Sequence, residues 1–554
     1  MRFLTESAFT AVVKIDDRDC EVTAQSQTMI TCTTDKKPDS DEEPSLKITV
    51  EGMGNVATKG KLFRYVKRWS DTITWGGLPP SEGDAVNIPK GMHLLVDIPK
   101  TPKLSFVNVE GSLIFDQDNA SEFDAEYIIA KGGYVEIGTE EEPYLGQLTI
   151  TMHGREFGTT LPLFGNKVLA VKSPGQLEMH GKPRDITWTD LKMTVMPGEA
   201  SITINDVPSD KHFDWAAGEK IVIASTDFEG RHAEQRSIVS VGGDPTNPVL
   251  VLDAPLEYKH YAGLQTFGDH HLEVRAEVGL LSRNVVFRGD PETSNEMQYG
   301  AHIMLADGQS GVSGRIENIE LTDVGQAFKL GRYPIHFHLA GNVNGSYIKN
   351  NAIHNSFNRG ITIHGVQHLT LENNVIYKEM GHGIFIEDGV ETNNRIIRNL
   401  VVDTRRSNSL LVTDTTPASF WIQHPDNIFI GNHAAGSDRY GYWFDLPEHP
   451  TGPSIDNNIC PINAKLGEFR DNVSHSNGRY GLRLFHGLFP KTFPCRGLDY
   501  ETNPPVPAVF ENHLSYKNKR NGMISEDIGA VQFHNFTTAD NILSGMEVSL
   551  TGDI

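Results

Sequence analysis

Short runs of alternating apolar and polar residues, separated by glycine, asparagine and charged residues, fill most of the chain. Runs such as LKITV, ITIHG and LRL place apolar side chains at every second position, which is the period of a β-strand with one buried face. Convincing amphipathic helical periodicity does not occur alongside them. The pattern therefore predicts an all-β protein built from many short strands.

A repeated spacing of Asn and Gly accompanies these strands in the second half of the chain. A Gly follows an Asn nine residues later in four pairs, and ten residues later in two looser pairs. The strict pairs are Asn351/Gly360, Asn374/Gly383, Asn432/Gly441 and Asn472/Gly481, and the looser pairs are Asn512/Gly522 and Asn535/Gly545. The closest pairs start 23 residues apart, and wider spacings fit the same unit with loop insertions.

A unit of this length cannot bury its apolar face alone, so stacked copies predict a right-handed parallel β-helix. Asn and Gly would occupy its corners, where the backbone needs left-handed angles. Residues 1–60 predict a few antiparallel strands of a partial β-sandwich, and residues 64–190 a further β-rich domain. The coils are expected within 191–554. Because the sequence begins in a strand-like run and ends within a repeat, we expect a piece of a longer protein.

Composition narrows the functional classes. The 554 residues carry a formal net charge of −23, which excludes a nucleic-acid partner because phosphate binding needs a basic face. The same charge argues mildly against a polyanionic ligand, unless a local basic patch overrides it. No apolar run approaches the length of about 20 residues that spans a membrane.

The four cysteines form two local pairs in the sequence, Cys20 with Cys32 and Cys460 with Cys495. Two disulfides and an oxidising compartment are the simpler interpretation, and four reduced thiols in the core are the alternative. Glycosylation motifs occur at Asn119, Asn344, Asn472 and Asn535.

Candidate chemistry follows from the stacking, because strands of successive coils lie about 4.8 Å apart. Residues at equal distance from the repeat Gly should therefore become neighbours. The column four residues after it holds His364, Glu387, Asp445 and Phe485; the next holds Gly365, Asp388, Leu446 and His486; and the column before it holds Arg359, His382, Tyr440 and Tyr480. The preceding coil carries RYPIHFH, with His336 and His338 on one strand face.

Imidazoles and carboxylates on adjacent coils suit two tasks. Neutral imidazoles of His336, His338 and His364 could hold a divalent metal ion, the one cofactor this pattern suggests. An acid and base could instead cleave a glycosidic bond, and the candidate catalytic residues are Glu387, Asp388, His364 and His382. The candidate substrate-binding residues are Arg332 and Arg359 for a carboxylate, and Tyr333 and Trp443 as flat surfaces for sugar rings. The alternative is that these side chains only form hydrogen-bonded rungs and core packing.

Several motifs resemble a known family. WSDTITWGGLPPSEGDAVNIPKGMHLLVD resembles the opening of a G8 domain, and RYPIHFHLAG, GITIHG and GHGIFIEDGVE resemble the parallel β-helix repeats that follow it. The stretch around Cys20 and Cys32 resembles the end of an IPT/TIG domain, and NNICPINAKLGEF resembles the fibrocystin-L branch of the family. The resemblance implies a partial IPT/TIG-like domain at 1–60, a G8 domain at 64–190 and β-helix repeats at 191–554.

The resemblance also implies a location and a function. It implies an extracellular or cell-surface protein that is anchored in the membrane outside this segment. The first hypothesis is an adhesion or carbohydrate-binding scaffold, whose partner is an extracellular polysaccharide or glycoprotein. The second hypothesis comes from the related hyaluronidase-type branch and is a hydrolase that depolymerises a glycosaminoglycan such as hyaluronan. A purely structural spacer is the third.

Overall fold

The computed structural model describes residues 10–26, 29–34, 44–51, 54–56, 63–306, 311–408 and 412–551. Within these ranges the chain forms fifty strands and only a few helical turns, so the all-β fold class predicted from the sequence is confirmed. The α-helices described are α1 (Thr72–Trp75) and α2 (Pro291–Met297), and the 3-10 turns are Gly230–His232, Val412–Thr415, Gly452–Ser454 and Pro461–Asn463.

A small antiparallel sheet begins the described chain. Its strands are β1 (Ala11–Ile15), β2 (Arg18–Gln25), β3 (Ile30–Thr33), β4 (Leu46–Val50) and β5 (Gly54–Asn55), in the order β3-β2-β1-β4-β5. Cys20 and Cys32 form the predicted disulfide between β2 and β3. Residues 1–9 and 57–60, the ends of the expected first domain, lie outside the described residues.

Parallel coils begin at residue 66. The strands before residue 181 are β6 (Val66–Arg68), β7 (Ala85–Ile88), β8 (His93–Val96), β9 (Phe106–Val109), β10 (Ser112–Phe115), β11 (Glu122–Ala125), β12 (Tyr127–Lys131), β13 (Tyr134–Ile137), β14 (Leu148–Met152), β15 (Val168–Lys172) and β16 (Gln176–His180). The next eight form a separate unit: β17 (Trp188–Asp190), β18 (Ser201–Thr203), β19 (Lys220–Ile223), β20 (Glu234–Asp244), β21 (Asn247–Leu252), β22 (Ala262–Phe267), β23 (His270–Arg275) and β24 (Glu277–Leu280).

The coils resume at residue 285. Their strands are β25 (Val285–Gly289), β26 (His302–Ala306), β27 (Ser313–Glu317), β28 (Ile319–Val324), β29 (Ile335–Asn342), β30 (Tyr347–Lys349), β31 (Ala352–Ser356), β32 (Ile361–Gln367), β33 (Thr370–Glu372), β34 (Val375–Glu379), β35 (Ile384–Ile386), β36 (Arg395–Ile397), β37 (Leu400–Thr404), β38 (Ala418–Ile422), β39 (Ile428–Ile430), β40 (His433–Ser437), β41 (Tyr440–Phe444), β42 (Glu468–Arg470), β43 (Val473–His475), β44 (Tyr480–Leu484), β45 (Ala508–Glu511), β46 (Leu514–Tyr516), β47 (Asn521–Ile528), β48 (Val531–His534), β49 (Thr537–Ala539) and β50 (Ser544–Thr551).

Three long sheets of parallel strands line the solenoid and confirm the predicted β-helix. Each later coil contributes a strand to sheet 1, then sheet 2, then sheet 3, as β33, β34 and β35 do. Sheet 1 runs from β6 to β48, sheet 2 from β11 to β49 and sheet 3 from β7 to β50. Side chains alternate along each strand, so every second one enters an apolar core that is continuous through the solenoid.

Residues 188–280 leave the solenoid, which differs from the expected division at residue 191. β14, β15 and β16 pair directly with β25, β26 and β27, so the chain between β16 and β25 is an insertion between neighbouring coils. Six of its strands form an antiparallel sheet with its own apolar core. Trp188 and Val222 pack against Val375 and Leu400 on the outer face of sheet 2. Alternating polarity is the same in parallel and antiparallel strands, so the sequence pattern does not separate this insertion from coils.

A ladder of buried asparagines runs between the coils. The amide nitrogen of Asn374 donates to Oδ1 of Asn399 at 2.9 Å, and that of Asn399 donates to Oδ1 of Asn432 at 3.0 Å. The same contact joins Asn351 to Asn374 and Asn432 to Asn472. These amides also donate to backbone carbonyls, so each side chain ties one coil to both of its neighbours.

The two looser pairs differ from the strict ones for a structural reason. His513 occupies the inward position after Asn472, whereas Asn512 and Asn535 lie one residue earlier and outside. The amide of Asn535 donates to Oδ1 of Asn512 at 2.9 Å, which forms an exposed ladder. The extra residue between Asn and Gly therefore reflects the position of the asparagine, which lies in the core in the strict pairs and on the surface in the looser pairs.

The repeat glycines serve close packing instead of left-handed corners. A Cβ on Gly360 would lie 2.4 Å from the carbonyl oxygen of Gly383, and one on Gly441 would lie 2.5 Å from that of Gly481. The left-handed angles instead fall just before the ladder asparagines, for example at Asn350 and Asn373. The expectation that the repeat Gly supplies these angles is therefore wrong.

The asparagine ladder also determines which of the glycosylation motifs have an exposed acceptor. Asn119, Asn344 and Asn535 are exposed, as a glycan acceptor must be. Asn472 is fully buried, and its Oδ1 accepts from Asn432. Asn472 is therefore unsuited to carry a glycan in the folded protein, contrary to the expectation from its motif.

Asn399→Ala should lower the free energy of unfolding by about 2 to 4 kcal/mol, because it leaves buried donors and acceptors on neighbouring coils without partners. The exposed Asn87, which accepts from Asn108, is the matched control, and Asn87→Ala should cost less than about 1 kcal/mol. Urea denaturation of both variants measures the difference. Equal midpoints would contradict a stabilising role for the buried ladder.

Candidate functional site

The outer face of sheet 3 carries the side chains that the repeat spacing brings together. His338 and His364 are partners in the β-ladder, and Ile363 pairs with Ile386, which places His364 beside Glu387 of the next coil. Nδ1 of His364 lies 3.5 Å from Oε2 of Glu387. The isoleucines of these strands point inward, so the His and Glu side chains point out of the solenoid.

Three imidazoles converge on this face. Candidate ligand atoms of His336, His338 and His364 all lie within 4.8 Å of one another. The two Nδ1 atoms of His338 and His364 are 3.0 Å apart. His336 donates from Nδ1 to the carbonyl oxygen of Gly331 at 3.0 Å, so its Nε2 carries a lone pair. That Nε2 is buried and has no hydrogen-bond partner.

A carboxylate orients the most central imidazole. Nε2 of His364 donates to Oδ2 of Asp388 at 2.7 Å, and the same oxygen accepts from the hydroxyl of Ser454 at 2.7 Å. This bond leaves Nδ1 of His364 unprotonated in the neutral ring, facing the other imidazoles. A carboxylate behind a histidine in this way commonly fixes the tautomer of a metal ligand.

Glu387 adds an oxygen to the cluster. Its Oε1 lies 3.9 Å from Nη1 of Arg359, and its buried Oε2 has no hydrogen-bond partner. Burial raises the pKa of Glu387 despite the nearby Arg359 and His364 charges. The sequence assigned Glu387 to acid–base chemistry; it lies beside His364 but is not one of the three side chains whose ligand atoms all lie within 4.8 Å of one another.

The protonation states of His336 and His338 suit cation binding, whereas that of His364 depends on its acidic neighbours. Burial, with neighbouring His charges, holds the pKa of His336 well below its usual range and lowers the pKa of His338 to about 4. Both rings are therefore neutral near pH 7. Burial lowers the pKa of His364, but the hydrogen bond to Asp388 and the charge of Glu387 outweigh burial and raise it.

Arg359 is not placed to hold a substrate carboxylate. It is fully buried, its Nε donates to Oδ1 of Asp414 at 3.0 Å, and its Nη1 donates to the hydroxyl of Tyr333 at 3.1 Å. Its guanidinium also lies 3.7 Å from the ring centroid of Phe385. Arg359 thus supports the floor of the site and does not reach its surface, contrary to the expectation from sequence.

His382 also lies apart from the three imidazoles. Its Nδ1 accepts from the backbone N–H of Ala418 at 3.1 Å, and its ring lies 4.4 Å from Trp421. Burial lowers its pKa to about 3. Its Nε2 faces Asp414 at 3.4 Å. A role as a catalytic acid or base in contact with substrate does not fit this buried position.

The expected sugar platforms are packing residues. Tyr333 is buried between Arg359 and His336, and Trp443 is buried with its Nε1 donating to the carbonyl of Phe485 at 2.8 Å. Arg332 differs from them, because it is half-buried beside the imidazoles and makes no ion pair among the described residues. It is the predicted substrate-binding residue whose charge remains available.

Sequence reasoning missed the loop residues that complete the site. Ser454 lies in the long insertion between β41 and β42, and the predicted disulfide between Cys460 and Cys495 joins that insertion to the next one. Asp414 lies on the 3-10 turn between β37 and β38. Glu391 is fully buried, and its carboxylate accepts from the backbone N–H groups of Gly365 and Gly389. No repeat spacing could have identified these positions.

The donor set suits a first-row transition-metal ion better than Ca²⁺ or Mg²⁺, which prefer oxygen ligands. Two buried polar atoms without partners, Nε2 of His336 and Oε2 of Glu387, are the observation that favours a cation here. A bound ion would supply a Lewis acid for oxygen groups of a ligand. Within the described ranges, no other group of three or more potential ligands meets the same geometry.

Comparison with known proteins identifies the family. A family model described as G8 domain matches residues 74–192, and one described as CEMIP beta-helix matches residues 298–482. The chain is 38% identical over 577 residues to fibrocystin-L of Mus musculus, and 38% identical over 579 residues to fibrocystin-L of Homo sapiens. The chain belongs to the family of proteins that join a G8 domain to such a β-helix, which confirms the resemblances to the G8 domain, the β-helix repeats and fibrocystin-L, whereas the IPT/TIG-like first domain stays a prediction.

The extent of these similarities differs. Each fibrocystin-L alignment covers 97% of this chain but 13% of the relative. Communication mutant protein F of Dictyostelium discoideum is 30% identical, over 74% of this chain and 38% of that protein. Among the helices of the described chain, none is long and apolar enough to cross a membrane.

Two solved structures show only a distant likeness. The tailspike protein gp49 from Pseudomonas phage LKA1 is 12% identical, with a TM-score of 0.21 over 84% of this chain and 74% of that chain. The catalytic unit of a GH87 α-1,3-glucanase from Streptomyces thermodiastaticus is 10% identical, with a TM-score of 0.31 over 67% of this chain and 96% of that chain. At these values neither likeness carries an argument about activity.

Metal analysis of the purified protein should find a bound divalent transition metal that is lost in His364→Ala and His338→Gln. Asp388→Asn should weaken the affinity about 10- to 100-fold, because it disturbs the carboxylate that orients His364. Elemental analysis after dialysis against each metal provides the measurement. His486→Ala, at an exposed His paired with Asp445, is the control, and equal metal content in all variants would contradict the assignment.

Proposed function

We propose that this chain is part of an extracellular carbohydrate-binding scaffold that uses a divalent metal ion at the His336/His338/His364 cluster to bind its ligand. The observation that carries the proposal is the convergence of three imidazoles with the two unpartnered atoms of His336 and Glu387 on the outer face of a solenoid. An extracellular location is supported by the two disulfides, which persist in oxidising compartments.

A polysaccharide suits this position for physical reasons. Vicinal hydroxyl and carboxylate oxygens can complete the coordination of a metal ion that has three imidazole ligands. The half-buried Arg332 lies beside the cluster, has no acidic partner among the residues that the structure describes, and can donate to a uronate carboxylate. The outward side chains of the adjacent coils on this face, such as Met304 and Phe385, are buried, so the proposed contact is limited to the sugar residues at the cluster.

Hydrolysis is the second candidate, and the position of Glu387 favours it. Burial raises the pKa of Glu387, as a general acid requires, and its Oε2 is unpartnered. The usual mechanism needs a second carboxylate about 5 to 10 Å away. Asp388 is held by His364 and Ser454, which argues against that role. Binding is therefore the leading proposal.

Incubation with a panel of neutral and anionic polysaccharides should reveal at least one ligand whose binding is lost with a chelator and restored by the metal. His364→Ala should abolish that binding, whereas His486→Ala should retain it. Affinity electrophoresis gives the binding, and gel filtration of the polymer gives its chain length. Binding that persists in chelator and in His364→Ala would overturn the proposal, and shortening that requires Glu387 would favour the hydrolase.

Arg332→Gln should weaken binding of a uronate-containing ligand about 10- to 100-fold, because it removes one charge-assisted hydrogen bond. Binding of a neutral ligand to the same site should change much less. Isothermal titration with both ligands separates the two cases. An equal loss for neutral and anionic ligands would show that Arg332 acts through folding and not through a carboxylate.

A further inference from the structure

A second surface with a distinct composition lies at the corner where each coil passes from sheet 2 to sheet 3. Successive coils place a basic residue there, and the backbone N–H of Arg479 donates to the carbonyl of Arg439 at 2.7 Å, as that of Arg520 does to Arg479 at 2.9 Å. Met380 and Arg405 form a bridge at the same corner on earlier coils. We call this surface the cationic ridge; it consists of Lys378, Arg405, Arg406, Arg439, Arg479, Lys519 and Arg520.

The ridge is straight because the coils stack in register. With a spacing of about 4.8 Å between strands of adjacent coils, its cations form a line parallel to the solenoid axis. Arg406 and Arg520 are exposed, and the other members are half-buried. Because the charges lie on a rigid scaffold, their side chains and loops lose little conformational entropy when a linear ligand binds.

Much of this charge is not neutralised by the protein. Arg405 pairs with Asp403, and Lys519 pairs with Glu229. Among the described residues, the other five members of the ridge have no carboxylate within ion-pair distance. This is notable in a chain whose formal net charge is −23, because acidic partners are abundant elsewhere.

Tyrosines hold two of the guanidinium groups in place. Nη1 of Arg479 donates to the hydroxyl of Tyr440 at 3.4 Å, and Nη1 of Arg520 donates to that of Tyr480 at 3.4 Å. The two tyrosine rings stack with centroids 5.7 Å apart. Neutral partners fix the position of each guanidinium without cancelling its charge. Nε of Arg439 is buried and has no hydrogen-bond partner.

Two clefts follow the ridge where the insertion approaches it. A cleft of about 290 Å³ is lined by Arg231 of the insertion and by Arg406, Arg439 and Lys519 of the ridge. A cleft of about 500 Å³ continues past Arg231 and Arg406 to Arg405 and Lys378. The first cleft also contains three acids, Glu229, Asp403 and Asp438, which pair with Lys519, Arg405 and Arg231. The two clefts share residues and so lie along one path.

We propose that the cationic ridge binds a sulfated glycosaminoglycan lying parallel to the solenoid axis, at a site separate from the metal cluster. Arginine matches the oxygens of sulfate and carboxylate groups through paired N–H donors. Closely spaced cations favour a polymer with several charges in each disaccharide over hyaluronan, which has a single carboxylate there. The acidic remainder of the protein would repel a polyanion elsewhere, which confines it to the ridge.

The test compares heparin, chondroitin sulfate, hyaluronan, dextran and poly-glutamate by surface plasmon resonance at several salt concentrations. Heparin should bind most tightly, with an affinity that falls as salt rises, because binding releases counterions. The combined variant Arg439→Gln/Arg479→Gln/Arg520→Gln should weaken heparin binding at least about 10-fold and reduce the salt dependence. Chelator and His364→Ala should leave heparin binding unchanged, which separates this outcome from failure of the proposed metal site.

A matched control removes the same charge elsewhere. Lys131 and Lys172 are exposed and stacked on neighbouring coils of sheet 3, and the exposed Lys90 follows β7, two strands further along the same sheet. Lys90→Gln/Lys131→Gln/Lys172→Gln should therefore change heparin affinity less than about 2-fold. Arg406→Gln/Arg520→Gln, at two exposed positions, guards against misfolding of the triple variant. Unchanged heparin affinity in the ridge variants would overturn the proposal. Equal binding of hyaluronan or poly-glutamate would overturn the assignment to a sulfated glycan.

Discussion

The register between successive coils determines which side chains become neighbours in this molecule. Parallel backbone pairing fixes which residues lie side by side, and the buried asparagines reinforce it by bonding each coil to the next. A slip of one residue would turn inward isoleucines outward and carry His338 and His364 into the core. The candidate metal site and the cationic ridge both depend on this register, which continues from coil to coil and is interrupted between β29 and β32 by an irregularity just after His338.

Much of the fold could be predicted from the sequence, because the repeat spacing reports the register directly. The same spacing placed His364 next to Glu387, although these residues are 23 positions apart. It could not show that residues 188–280 leave the solenoid, since alternating strands look alike in parallel and antiparallel sheets. Nor could it separate the two uses of asparagine, in the core at Asn399 and on the surface at Asn512.

The candidate site was predictable only in part, for a related reason. Repeat spacing identifies which side chains share a column, but the loops decide which of them are covered. Asp414 and Ser454 come from such loops, and they convert Arg359 and Asp388 from surface groups into supported, buried ones. Trp443 was misjudged for the same reason, because its column lies under neighbouring aromatic rings. When loops cover an outer face of the solenoid, the sequence of the strands shows no periodic pattern that would predict it.

The two proposals assign two kinds of recognition to separate parts of one solenoid. Three imidazoles and the neighbouring carboxylate of Glu387 form a compact cluster on sheet 3, whereas basic residues, most of them without a carboxylate partner among the described residues, form an extended line at its edge. The imidazole cluster suits a metal ion and the oxygen groups of one or two sugar residues, and the cationic ridge suits the repeating charge of a polymer. Both depend on the stacking of coils and neither depends on a flexible loop for its principal charges.

The most direct test of this account is X-ray absorption spectroscopy of the protein loaded with Zn²⁺. The account predicts a first coordination shell that contains three imidazole nitrogens at about 2.0 to 2.1 Å, and that loses one of them in His338→Gln. A shell made only of oxygen atoms, or one that is unchanged in this variant, would contradict the claim that register brings these histidines together to bind a metal.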